Sequence, residues 1–314
     1  MSDAAQAIPR PRTMPAPARP GTSPRARSER RLAFALCAPA VVVMAGVTAY
    51  PILYAVWLSL QRNDLRFPLQ TAFVGLSNYL TVLRSALWWQ ALGNTVIITL
   101  VSVAIELAFG MAIAIVMHRA LVGRAAVRTA VLIPYGIITV VAAFSWRFAW
   151  TPDIGYLTRW LQLHGDPLTS HASSLAIIIL AEVWKTTPFM SLLLLAGLAL
   201  VSNDLLEAAR VDGAGAWQRF RHVTLPLMKP AILVAVLFRV MDAFRIFDNI
   251  FVLTRGSNST QSVSILGYDQ LFVGLNLGIG SAVSVLIFVA IALIGFLFIK
   301  GFGAAAPGMD QGKR

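Results

Sequence analysis

The sequence predicts an all-α polytopic membrane protein with six transmembrane helices. Of its 314 residues, 57% are hydrophobic and only 13% are charged, whereas soluble domains contain about 25% charged residues. Six segments are apolar over the roughly 20 residues that a helix needs to cross a bilayer. Helices are expected because lipid cannot hydrogen-bond an exposed backbone, and the alternating pattern of a β-barrel is absent.

The predicted transmembrane domain covers residues 32–300. Its spans lie at about residues 32–58, 92–117, 127–150, 173–200, 231–253 and 282–300. Residues 1–31, rich in Arg and Pro, are predicted to be a disordered tail, and residues 301–314 a second tail. Residues 262–281 are apolar but interrupted by four glycines, which indicates a re-entrant or surface segment.

The distribution of Lys and Arg predicts the orientation. Seventeen of these residues lie on the side that holds both tails, and six lie on the other side. The positive-inside rule therefore places both termini in the cytoplasm of a multi-pass cell-membrane protein. A formal net charge of +12 is typical of a membrane protein whose cytoplasmic loops are rich in Lys and Arg. The arginines are scattered between apolar runs, which argues against nucleic-acid binding.

The loop at residues 202–229, predicted to be cytoplasmic, has the pattern of a helix–turn–helix. Ser202 or Asn203 can cap the first helix, and Gly213 permits the turn that ends it. A second short helix is expected over residues 215–222, and the two prolines that follow are expected to limit its continuation into the fifth span.

Ionisable residues inside the predicted spans are candidates for function, because charges in a membrane are costly. They are Glu106 in the second span, Lys185 in the fourth, and Arg239, Asp242, Arg245 and Asp248 in the fifth. The last four recur every three residues, so they share roughly one helical side and can pair locally. They form either a salt network that holds the helices together or a polar wall along a pathway.

The cytoplasmic loop carries a recognisable signature. Its pattern is Glu-Ala-Ala, three residues, Gly, nine residues and Val-x-Leu-Pro, and it resembles the EAA signature of permease subunits in binding-protein-dependent ABC importers. The residues that fill the signature are Glu207, Ala208, Ala209, Gly213, Val223, Leu225 and Pro226, with Val223 where Ile is usual.

The resemblance extends over residues 31–306 and is strongest to maltose-type carbohydrate permeases. VWKTTPF precedes the loop and FDNIFVLTRG closes the fifth span. Within that family, RRLAFALCAPA and HRALVGRAAVRTAVLIPYG are similar to the membrane subunits of mycobacterial-type trehalose importers. The implied fold is that of a maltose-type permease, and the implied cargo is a sugar, with trehalose preferred.

The family also implies how the protein works. The loop would be a coupling helix that docks on a cytoplasmic ATPase, through Glu207, Ala208, Ala209, Asp212 and Gly213. The implied partners are a second homologous permease, two ATPase subunits that bind ATP and Mg, and an extracytoplasmic solute-binding (lipo)protein. This chain itself is expected to be non-catalytic and to bind no cofactor.

Alignment to the family from Glu207 without gaps implies a set of sugar contacts in the fourth and fifth spans. These are Thr186, Phe189, Arg239, Asp242, Ala243 and Ile246. Their fifth-span members depart from the small polar and amide groups that the maltose site of the family uses.

One other class of function, a secondary transporter or channel, and another cargo for the importer remain open. The chain has no phosphate-binding G-x-x-x-x-G-K-[ST] loop, and its four histidines show no metal-ligand spacing. A secondary transporter would need its own ion-coupling site, commonly within inverted repeats, and no clear repeat is present. A maltose-like sugar or a glycerol phosphate ester is the alternative cargo.

Overall fold

The computed structural model describes residues 24–119, 123–163 and 165–302. Most of the two predicted tails, and His164, lie outside these residues. The chain divides into two units, Met1–Tyr54 and Ala55–Arg314. Helix α1, Pro24–Ser59, begins in the first unit and contains Pro39 and Pro51. Residues 24–31, expected in the tail, are helical in the structure. The helix begins at Pro24, and a proline is well tolerated at the first position of a helix.

The second unit contains the remaining helices. They are α2 (Ser77–Arg84), α3 (Ala86–Arg119), α4 (Arg124–Gly136), α5 (Thr139–Ala149), α6 (Tyr156–Trp160), α7 (His171–Leu198), α8 (Asn203–Val211), α9 (Ala216–Arg219), α10 (Leu225–Ala243), α11 (Asp248–Leu253), α12 (Val263–Tyr268) and α13 (Leu277–Phe302). Short 3₁₀ turns lie at Pro68–Gln70 and Pro167–Thr169, and π turns at Phe220–Thr224 and Asp269–Val273.

A two-stranded hairpin interrupts the helices between α1 and α2. Its strands, β1 (Gln61–Arg62) and β2 (Ala72–Phe73), are antiparallel. In the turn between them, a hydrogen bond from the exposed Arg66 side chain lowers the pKa of Asp64.

Within the described residues, five helices are long and apolar enough to cross a membrane. They are Leu32–Ser59, Ala86–His118, His171–Leu198, Ala216–Ala243 and Leu277–Gly301. A bent pair, Ala125–Gly136 and Thr139–Ala149, gives a sixth span if it is counted as one. The all-α membrane fold is confirmed.

Two of the predicted spans have a different form in the structure. The third, expected to be one helix over residues 127–150, is bent by 86° between α4 and α5, where Ile137 is extended. Pro134 in the last turn of α4 removes a backbone donor and weakens the helix there. The fifth, expected at residues 231–253, runs from Ala216 to Ala243, and α11 is a separate helix.

The helix that contains the fifth span passes through the two prolines expected to interrupt it. A π turn at Phe220–Thr224 precedes Pro226. The Leu225 amide bonds Phe220 five residues back, which leaves room for a residue that has no N–H.

One core cluster of the second unit lies where α3, α7 and α10 pack together. Buried apolar residues such as Met190, Leu194 and Met228 fill this contact. Gly197 on α7 permits a close approach, since a Cβ added there would lie 2.5 Å from the Ala231 side chain on α10. This packing brings polar residues of all three helices together.

Candidate functional site

A polar cavity of about 580 Å³ lies beside the breaks in two spans. Its walls come from the α4–α5 bend, from α7, and from the break between α10 and α11. The lining residues are Tyr135, Ile137, Ile138, Thr139, Glu182, Lys185, Thr186, Asp242, Arg245, Ile246, Phe247, Asp248 and Asn249. Broken helices expose backbone groups that a continuous helix would satisfy internally, so such breaks occur in membranes where they line a cavity.

Lys185 stabilises the bend between α4 and α5. Its Nζ donates to the carbonyl oxygens of Ile137, at 2.5 Å, and Tyr135, at 3.3 Å. These carbonyls have no partner within the helix because they belong to its last turn, and a cation at a helix C-terminus is also favoured by the helix dipole. Lys185 on α7 therefore stabilises the part of the cavity wall that the α4–α5 bend forms.

Arg239 is the centre of a buried ion-pair network. It is fully buried, and its Nε and Nη2 donate to both carboxylate oxygens of Glu106, at 2.6 and 3.0 Å. The guanidinium also contacts Glu182, at 3.2 Å, and Asp242. Paired and bidentate geometry is what allows charges to lie inside a membrane protein.

Two neutral side chains complete this network. Thr186 donates to Glu106 at 2.8 Å, and Asn249 donates to the second oxygen of Glu182 at 2.6 Å. The network therefore joins α3, α7, α10 and α11, and it forms the base of the cavity through Glu182, Thr186, Asp242 and Asn249.

The sequence predicts that the four charged residues of the fifth span share roughly one helical side, and this prediction is wrong. Because α10 ends at Ala243, the three-residue spacing continues only from Arg239 to Asp242. Within the described chain, Asp242 pairs with Arg239 and forms no ion pair with Arg245. Arg245 and Asp248 still line the cavity, from the break and from the start of α11.

The structure separates the residues of the implied sugar-contact set. Thr186, Asp242 and Ile246 line the cavity. Arg239 lies behind its wall, in the ion-pair network.

The two other members of that set lie in packed surroundings. Ala243 is buried in the core between α3, α7 and α10. Phe189 stacks on Tyr135, with ring centroids 5.4 Å apart. Neither is among the cavity-lining residues.

Glu182 and Asn249 are site residues that the sequence reasoning missed. Glu182 precedes Lys185 by three residues, and both lie in an apolar helix. That spacing puts the two side chains on one face, so Glu182 could have been named with Lys185. Asn249 gives no comparable signal, since its role depends on where α11 folds back.

The loop at residues 202–229 forms the expected helix–turn–helix. Ser202 caps α8 by accepting a hydrogen bond from the Asp204 amide at 3.2 Å. Asp212 ends the helix, and Gly213 follows with φ of +82°, a left-handed conformation that favours glycine. At the start of α9, the Gln218 side chain accepts from the Gly215 amide at 2.8 Å.

This loop presents large apolar groups beside Glu207. Glu207 and Ala208 are exposed, and so are the side chains of Val211, at 87%, and Trp217, at 69%. Exposed apolar residues between helix ends mark a surface that another protein can cover.

Comparison with known proteins identifies the class to which this fold and loop belong. Residues 106–305 match the family of binding-protein-dependent transport system inner membrane components. The chain belongs to this family of transport permeases, and it is a multi-pass membrane protein.

Individual relatives agree with the family assignment. The chain is 64% identical to the trehalose transport system permease protein SugA of Mycobacterium tuberculosis, over 91% of this chain and 94% of that protein. It is 38% identical to the trehalose/maltose transport system permease protein MalF of Thermococcus litoralis, over 87% and 94%. The expected resemblance to ABC sugar permeases is confirmed.

A solved structure shares the fold. It is the crystal structure of a bacterial ABC transporter involved in the import of the acidic polysaccharide alginate, matched with a TM-score of 0.76 and 21% identity. The match covers 90% of this chain and 98% of that one.

Proposed function

We propose that this chain is a permease subunit of an ATP-driven importer of trehalose. The observation that carries the choice of cargo is the identity with a trehalose permease over nine-tenths of the chain. Transport through this subunit would use the polar cavity, whose volume falls within the roughly 300–1,000 Å³ of small-molecule sites.

The chemistry of the cavity favours an uncharged cargo. Its network and lining hold four carboxylates, Glu106, Glu182, Asp242 and Asp248, against three cations, Lys185, Arg239 and Arg245. A phosphate ester would require an excess of positive charge, whereas hydroxyl groups can both donate to carboxylates and accept from Lys or Arg. We therefore favour trehalose over the glycerol phosphate alternative.

We assign the coupling role to Glu207, Ala208, Ala209, Asp212 and Gly213. The exposed carboxylate of Glu207 and its apolar neighbours provide a surface for a cytoplasmic ATPase. The turn at Gly213 leads into a helical span that continues through the π turn from Ala216 to Ala243, about 40 Å at 1.5 Å per residue. A rigid-body movement of the loop can therefore reach Asp242 in the cavity wall.

The proposed assembly contains this chain, a second homologous permease, two ATPase subunits and an extracytoplasmic solute-binding (lipo)protein. ATP and Mg would bind only to the ATPase subunits. Both termini would lie in the cytoplasm, on the same side as the coupling loop, as the Lys and Arg distribution predicts.

Competition in the assembled transporter tests the cargo. Proteoliposomes would receive ATP on the ATPase side, and the binding protein with labelled trehalose on the other side. An excess of unlabelled trehalose should abolish uptake, whereas glycerol phosphate should leave it unchanged. Uptake of labelled glycerol phosphate, with none of trehalose, would show that the cargo assignment is wrong.

A further inference from the structure

A pocket of about 440 Å³ lies behind the loop at residues 202–229, to which we assign the coupling role. Its walls come from the C-terminal ends of α3 and α7, from α8, and from the turn that leads into α10. In the described chain it shares no lining residue with the polar cavity. Five of its lining residues have polar or basic side chains: His118, Asn203, Arg210, Arg219 and Thr224.

Helix α8 presents one side to this pocket and another to solvent. Asn203, Leu206 and Arg210 line the pocket, and their spacing of three and four residues puts them on one side of the helix. Glu207, which we assign to docking on the ATPase, is exposed and is not among the lining residues. A ligand in the pocket would therefore contact α8 without covering the surface proposed for the ATPase.

Thr224 gives the first sign that the pocket takes a ligand. Only 8% of this residue is exposed, and within the described part of the chain its hydroxyl has no hydrogen-bond partner. The oxygen is not among the polar atoms that the fold seals from solvent without a partner, so it remains accessible from the pocket that the residue lines. A hydroxyl in such a position calls for a partner that the protein itself does not supply.

The basic side chains give an independent sign. In the described residues, Arg210 and His118 form no ion pair or hydrogen bond through their side chains. Arg219 is half-buried, and its Nη1 donates to the Ala214 carbonyl at 2.6 Å, which fixes the guanidinium and leaves its other N–H groups available. The lining residues that the structure describes include no carboxylate, so the pocket itself supplies no counter-charge.

These groups match a phosphate group. Guanidinium groups donate to phosphate oxygens through paired N–H groups, and hydroxyl and imidazole groups can add further donors. A cation would meet two arginines and find no carboxylate among these residues. An uncharged ligand would leave the arginines without a counter-charge.

The position of the pocket favours the same chemistry. The predicted topology places it at the cytoplasmic surface of the membrane, where basic pockets between membrane-spanning helices bind the head groups of anionic phospholipids. Ile115 and Leu198, at the ends of α3 and α7, add apolar surface to its wall. Such surface suits the carbon atoms next to a phosphate head group.

We propose that this pocket binds a phosphate group, supplied by an anionic phospholipid or by free phosphate, and that the bound anion links α8 to the end of α3. Arg210 would contact it from α8, His118 from α3, and Thr224 from the turn before α10. The anion would fix α8 relative to the spans. Binding does not depend on the cargo, whereas an effect on uptake rests on the proposed coupling function.

Hydrogen–deuterium exchange in the complete transporter tests the site. The transporter is held in maltoside detergent and phosphate-free buffer, and receives phosphatidylglycerol, inorganic phosphate or no addition. The expected result is slower exchange of amides in residues 203–211 when an anion is added. Slowing by phosphatidylglycerol alone identifies a lipid head group as the ligand, and slowing by inorganic phosphate shows that free phosphate is sufficient.

Two variants locate the effect. Thr224→Val removes the hydroxyl while keeping the shape of the side chain and the charge of the loop, and Arg210→Gln removes one cation. Each should raise the anion concentration for half-maximal slowing about tenfold, the loss typical of a hydrogen bond to a charged group. Arg221→Gln is the matched control, since Arg221 is exposed, lies in the same π turn as Thr224 and is not among the lining residues.

Two results would overturn the proposal. One is unchanged exchange of residues 203–211 with either anion. The other is slowing that survives in both pocket variants, because it would then come from the charge of the loop surface. Melting temperatures of the variants equal to that of the control would exclude misfolding. The measurement uses neither trehalose nor ATP, so its failure is distinguishable from a failure of the proposed function, which uptake tests.

Discussion

Replacing Arg239 by Met should destabilise the folded transporter more than any other single change in the cavity region. The substitution removes the guanidinium that bonds both oxygens of Glu106 and contacts Glu182 and Asp242. Glu106 is fully buried and would retain only Thr186 as a hydrogen-bond donor among the described residues.

The size of this effect follows from the loss of one partner of a buried pair. Such a loss costs about 3–5 kcal/mol, because the remaining charge is left without compensation. Arg245→Met is the matched control, since Arg245 lines the same cavity but forms no ion pair in the described residues. Its effect on the free energy of unfolding should stay within about 0.5 kcal/mol.

Thermal unfolding of the assembled complex, followed by size-exclusion fluorescence, gives the comparison. Arg239→Met should lower the melting temperature by several degrees more than Arg245→Met. Adding Glu106→Gln to Arg239→Met should recover part of the loss, because it removes one uncompensated carboxylate. Equal melting temperatures for the two single variants would refute the idea that the Arg239 network holds these helices together.

Three further predictions concern the coupling loop and the helix packing. Glu207→Lys should abolish uptake and weaken ATPase binding at least tenfold, measured by pull-down, while melting is unchanged because Glu207 is exposed. Gly213→Ala should reduce uptake and cost about 1 kcal/mol in unfolding, since its φ is +82°. Gly197→Ala should cost about 1–3 kcal/mol by forcing α7 away from α10.

Controls for these predictions are available in the same chain. Asp204→Asn changes an exposed acid in the first turn of α8 and should leave ATPase binding near that of the wild type. Gly213→Asn should retain more activity than Gly213→Ala, because Asn tolerates the left-handed conformation. Gly93→Ala, at a helical position with nothing within 4 Å of the added Cβ, should not destabilise the protein. Loss of ATPase binding in Asp204→Asn would contradict the role given to Glu207. Higher activity in Gly213→Ala than in Gly213→Asn would contradict the need for a left-handed turn, and equal destabilisation by Gly93→Ala and Gly197→Ala would contradict the packing argument.

The sequence predicted the helices well where the pattern was long and apolar. The spans at α3, α7 and α13 follow from hydropathy, and the loop turn follows from Gly213, whose left-handed conformation favours glycine. Helix breaks were harder to predict. Lys185 bonds carbonyls of a different helix, and no local pattern shows that a bend will be stabilised from fifty residues away.

The candidate site was predicted only in part for the same reason. Glu106 and Arg239 could be named as costly charges within spans, but their pairing across 133 residues depends on how α3 packs against α10. The end of α10 at Ala243 then separates Arg245 and Asp248 from the residues with which they share a sequence spacing. Asn249 enters the site only because α11 folds back against α7.

The most direct test of the account is ATP-dependent uptake of trehalose by the complete transporter in proteoliposomes, with ATP or a non-hydrolysable analogue on the ATPase side. Trehalose should accumulate with ATP, should not accumulate with the analogue, and should not accumulate when this chain is omitted from the assembly. Accumulation that persists without ATP would contradict the assignment and indicate a secondary transporter.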